Sequence, residues 1–134
     1  MNGVRIFLAI ETLIWVPYGL FCFLSPGALA EVAGVAAKSV TGTTELRAMY
    51  GGLQVAIGLA TLAGAVSPAL ARDALRLLLV LTAGIGGARA LGVVLDGGLS
   101  VYTASGLAFE LVTAGVAAVL LRRASDGARP SRGI

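Results

Sequence analysis

Six side chains able to do acid–base or electrostatic chemistry lie inside long apolar stretches of this sequence: Glu11, Arg47, Tyr50, Gln54, Arg89 and Glu110. Insertion scales put a central Arg or Asp at roughly +2.5 to +3.5 kcal/mol. Ionisable groups at membrane depth therefore pair with one another and mark functional positions. A carboxylate beside an arginine could move protons. Two arginines would hold an anionic or carbonyl-bearing group and stabilise negative charge as it develops. Glu110, Arg89, Arg47 and Glu11 are thus the candidate catalytic residues, and Tyr50, Gln54, Trp15 and Tyr18 the candidate ligand-binding ones.

Depth and face decide whether these groups can meet. Measured from each span's midpoint, Gln54 and Glu110 lie within a few ångströms of the centre. Tyr50 and Arg89 fall roughly 7 to 8 Å outward, and Arg47 about 13 Å outward. Glu11 lies about 5 Å on the other side. Arg47, Tyr50 and Gln54 share a helix face by i, i+3, i+7 spacing, as do Glu11, Trp15, Tyr18 and Cys22. The expectation is one polar cluster of Arg47, Tyr50, Gln54, Arg89 and Glu110, with Glu11 approaching from below. Two readings stand: ion pairs that only fix helix register, or a site for a ligand, proton or substrate.

The elements that must position these groups are apolar runs of membrane-spanning length. Residues 4–24, 45–66, 74–95 and 101–121 each approach the ~20 residues that cross a bilayer core. They predict an all-α integral membrane protein, an up-down-up-down four-helix bundle in one domain over residues 1–121. A polar tail over 122–134 is expected to be mobile. The first run resembles a signal peptide, but it is longer than a usual h-region and contains Glu11, so it is read as a retained span. Pro17 should kink it.

Between spans 1 and 2, Ser25-Pro26 starts a short amphipathic helix at the outer surface, with Leu29, Val32, Ala33 and Ala36 at helical spacing. Gly42 and Thr43-Thr44 are expected to end it and cap span 2. Ser67-Pro68 should cap span 3, and Ser100 span 4. Small residues recur every fourth position in span 2 (Ala48, Gly52, Ala56, Ala60, Gly64) and span 3 (Gly84, Ala88, Gly92). Such ladders permit close helix contact, so Gly52, Ala56, Ala60, Gly84, Ala88 and Gly92 are the expected packing positions.

Composition closes off other classes. Charged residues are only 13 % and apolar residues 57 % of the 134, against about 25 % charged in soluble domains. The net charge of +3 forms no basic stripe, so no nucleic-acid partner is expected. With no histidine and one cysteine, no metal site, disulfide or cofactor is expected. Cys22 reads as a small hydrophobe. Seven basic residues (Arg5, Arg72, Arg76, Arg122, Arg123, Arg129, Arg132) fall on one side and only Lys38 on the other, which predicts cytoplasmic N- and C-termini.

The stretch Glu45-Leu-Arg-Ala-Met-Tyr-Gly-Gly-Leu-Gln54, followed by Gly58, resembles a family of small bacterial four-span inner-membrane proteins of unknown function. The likeness covers nearly the whole chain and centres on Arg47, Tyr50, Gly51 and Gly52, with Arg89 and Glu110 in the later spans. It implies fold and location, in the bacterial inner membrane, and no activity.

The function expected is therefore an intramembrane site for a small lipophilic ligand, with acid/base isomerisation or hydrolysis as the reaction such a site could serve. An accessory subunit contacting another membrane protein and an oligomeric carrier are the alternatives. Expected partners are the bilayer, such a ligand, and a second copy or another membrane protein.

Overall fold

The computed structural model describes residues 2–126, with side chains to 124. It contains α1 (Asn2–Leu24), α2 (Ala28–Ala33), α3 (Val40–Leu46), a π-helical turn (Arg47–Gly52), α4 (Leu53–Val66), α5 (Pro68–Asp96) and α6 (Val101–Asp126). The protein is all-α, and four helical stretches are long and apolar enough to cross a membrane: Asn2–Leu24, Val40–Val66, Pro68–Asp96 and Val101–Ala124. It forms two compact units, Met1–Ala71 and Arg72–Ile134.

Local chemistry sets the ends of these helices. Ser39 is extended and accepts from the Gly42 N–H at 3.0 Å, so it, rather than Thr43-Thr44, caps the second span. That span starts earlier than the expected residue 45. Ser25 closes a turn through its backbone, accepting from Ala28 N at 3.1 Å, and no side chain caps α2. Gly34, at φ +69°, ends α2 before Ala36; only glycine takes that conformation at no steric cost. Ser67 is extended and Pro68 opens α5. Ser100 Oγ accepts from Thr103 N at 3.1 Å and caps α6. Because α6 continues to Asp126, residues 122–126 are helical rather than tail; residues 127–134 lie outside those described.

In the first unit α1 and α4 pack antiparallel. Buried residues recur at seven-residue intervals on both: Leu8, Trp15 and Cys22 against Gly51, Gly58 and Ala65. This is the repeat of left-handed helix pairs. Three glycines make the approach close. A Cβ on Gly19 would stand 2.8 Å from Gly51 O, one on Gly51 2.7 Å from Phe23 Cβ, and one on Gly58 2.5 Å from Val16 Cγ2.

The close contacts of this seam lie off the four-residue ladder. Ala48, Gly52 and Ala56 are exposed, Ala60 is half-buried, and only Gly64 is buried. At 3.6 residues per turn a four-residue step advances by about 40°, so the ladder winds from the outer face to the inner one. A seven-residue step drifts by only ~20° and stays on the seam.

The second unit is an antiparallel hairpin of α5 and α6. Gly86 faces Glu110 and Gly106 faces Arg89. Gly84 and Ala88 are exposed and Gly92 is half-buried, and the close contacts within the hairpin fall at Gly86 and Gly106.

Candidate intramembrane polar site

Arg89 and Glu110 come together within the second unit. Arg89 Nε donates to Oε1 at 3.1 Å and Oε2 at 3.0 Å, and Nη2 donates to Oε1 at 2.7 Å. The contact is a side-on fork, the geometry in which a guanidinium best matches a carboxylate. The carboxylate side chain is 6 % exposed and the guanidinium side chain 27 %. Two glycines make room for it. A Cβ on Gly106 would lie 3.1 Å from Arg89 Cζ, and one on Gly86 3.2 Å from Glu110 Cβ. Thr82 and Thr113 are also buried. Thr82 gives its hydroxyl proton to Leu78 O at 2.6 Å, which satisfies it within its own helix.

The remaining candidates lie in the first unit, where Glu11, Trp15 and Arg47 have their own partners. Glu11 is buried and accepts from Trp15 Nε1 at 2.9 Å. The pair is one helical turn apart on α1, where i and i+4 side chains meet. An indole has a single N–H, and that group of Trp15, expected to touch ligand, is given to Glu11. Tyr18 is half-buried.

Arg47 donates to the carbonyl of Phe23, and its guanidinium lies 5.5 Å from the Phe23 ring centroid. Phe23 is in the last turn of α1, where carbonyls lack intrahelical partners and cations are favoured. The expected catalytic arginine of span 2 is thus engaged as a helix cap. Arg47 lies on the π turn. A wider turn interrupts the 3.6-residue rhythm of an α-helix. Tyr50 lies on the same turn and is half-buried. Gln54 is half-buried, and its buried Oε1 has no hydrogen-bond partner among the described residues.

Several polar contacts escaped the sequence reading. Arg5 Nε donates to Ala65 O at 2.9 Å, in the last turn of α4. The Thr12 and Thr61 hydroxyls meet at 2.9 Å across the α1–α4 seam. The signal for the threonines was the seven-residue repeat, since Thr61 falls on the buried face with Gly58 and Ala65. Among the described residues no group of acidic, cysteine or histidine side chains could hold a metal ion.

No curated protein and no solved structure matches the chain. A family model, by contrast, spans most of its length, including both Arg89–Glu110 and the π turn. Over residues 3–121 the chain belongs to the family described as Domain of unknown function (DUF4345).

Proposed function

We propose that this small multi-pass membrane protein binds a lipophilic ligand with an anionic or carbonyl-bearing head, and that Arg89–Glu110 is the polar element of the site. The observation that carries this reading is the asymmetry of the pair. Glu110 is nearly closed off while the Arg89 side chain keeps 27 % of its surface. A ligand oxygen reaching that surface would meet a guanidinium already oriented by a carboxylate. If the ligand is transformed, Arg89 stabilises developing negative charge and Glu110 exchanges the proton. That chemistry fits an isomerase or hydrolase. Tyr50 and Gln54 remain candidates for contacting a ligand within the first unit, and the unpartnered amide oxygen of Gln54 would accept a ligand hydroxyl. The proposed setting is the bacterial inner membrane, with both termini cytoplasmic.

Native mass spectrometry of the protein released from nanodiscs tests this. The expected result is a co-purified lipophile on the unsubstituted protein that is lost in Arg89→Gln while the variant, though less stable, keeps its helical content below its thermal transition. Retention of the same adduct by Arg89→Gln would overturn the assignment.

A second reading is favoured by the exposed small face of α5. Gly84 and Gly87 have no atom within 4 Å of an added Cβ, and Ala88 beside them is exposed. Small residues let a foreign helix approach closely in lipid, as an accessory subunit or an oligomer would require. Cross-linking from a cysteine placed at Gly84 distinguishes the readings: a defined partner band supports the subunit role.

A further inference from the structure

The α5–α6 hairpin carries its charge at one end. Gly86 and Arg89 lie opposite Glu110 and Gly106. Each step back along α5 from the Gly97–Gly98 connection is therefore matched by an equal step forward along α6. Arg72 comes level with Arg123, and Arg76 lies one helical turn inside that level. All four arginines are exposed. Asp73 is the one acid among the described side chains at this end, and it pairs with Arg76 at 3.0 Å. The connection end carries Asp96 and no basic residue.

Membrane dimensions place this rim. The uncharged ends of the apolar run on α5, Ala74 and Leu95, are separated by roughly 32 Å of helix at 1.5 Å per residue. The hydrocarbon core is about 30 Å thick. Arg72, Arg122 and Arg123 consequently stand at headgroup depth in one leaflet, where the exposed side chain of Arg76, rooted just inside the apolar run, reaches by extending outward, and Asp96 stands at headgroup depth in the other.

We propose that Arg72, Arg76, Arg122 and Arg123 form a binding surface for anionic phospholipid headgroups. Guanidinium forks match phosphate oxygens in the same bidentate way that they match carboxylates. Four exposed guanidinium groups at one end of two helices offer several such forks, which suits several headgroups. The surplus of positive charge selects anionic over zwitterionic lipid, because basic residues beside a membrane gain affinity from its negative surface potential. The surface is separate from the Arg89–Glu110 pair and does not depend on what that pair does.

Native mass spectrometry of the full chain from mixed nanodiscs of phosphatidylglycerol and phosphatidylcholine tests it. The unsubstituted protein should retain phosphatidylglycerol preferentially, and the preference should shrink as salt is raised. Arg122→Gln with Arg123→Gln should lower phosphatidylglycerol retention by roughly 10- to 30-fold, at about fivefold per arginine, with phosphatidylcholine retention unchanged. Equal retention of the two lipids, or a preference indifferent to salt, overturns the proposal. Displacement of the lipid by millimolar inorganic phosphate would reassign the surface to a soluble anion. Should the double variant fail to insert, the lipid and salt comparisons on the unsubstituted protein decide by themselves.

Discussion

Arg47 donates to the carbonyl of Phe23 in the last turn of α1, and Arg5 donates to the carbonyl of Ala65 in the last turn of α4. Each helix of the first unit thus has its C-terminal carbonyls served by an arginine from the other. The arrangement satisfies acceptors that lack intrahelical donors and places positive charge at the negative end of each dipole. It also requires an antiparallel pair, since Arg5 starts one helix and Arg47 lies near the start of the other.

Replacing Arg47 by Gln should weaken the end of α1. The expected loss is about 0.3 to 2 kcal/mol, seen as faster hydrogen exchange confined to residues 21–27. Ligand retention attributed to Arg89 should be unaffected. Loss of that retention would return Arg47 to the binding site.

The glycine contacts give a sharper contrast. Gly58→Ala puts a methyl group 2.5 Å from Val16 Cγ2 and 3.0 Å from its backbone nitrogen, so α1 and α4 must separate. A cost of about 1 to 3 kcal/mol is expected. Gly52→Ala, whose methyl group would come no nearer than 3.9 Å to Arg47 O, should be neutral. Unfolding in mixed micelles compares the two; equal effects would contradict the seam.

A double-mutant cycle addresses Arg89–Glu110. Arg89→Gln or Glu110→Gln alone leaves one charge in an apolar setting and should cost about 3 to 5 kcal/mol. Removing both should recover much of the loss, because the remaining groups are neutral. Additive losses would mean that the two residues are energetically independent.

For Glu11, the indole of Trp15 is the reporter, being the only tryptophan in the chain. Glu11→Leu removes the acceptor held at 2.9 Å and should destabilise by about 1 to 3 kcal/mol. Glu11→Gln keeps a carbonyl oxygen in place and should recover most of it. Tryptophan fluorescence followed through thermal unfolding measures both.

The amino-acid sequence by itself determined the four spans, the serine and proline boundaries at Ser67, Pro68 and Ser100, and the kind of polar groups that need partners. Those features are local: hydropathy over about twenty residues, and a hydroxyl or ring next to a helix start. Tertiary structure decided which partner each group takes. Glu11 could have met an arginine but meets Trp15, and Arg47 could have faced a carboxylate but holds Phe23. Only in the folded hairpin does Arg89 reach Glu110. These choices follow from the register between helices, which depends on where Gly19, Gly51, Gly58, Gly86 and Gly106 let side chains or backbones close in, and on a π turn that breaks helical spacing at Arg47–Gly52. Four-residue periodicity along one chain carries no information about a neighbour's register, so the ladder at Gly52 and Ala56 pointed outward while the seam formed at Gly51 and Gly58.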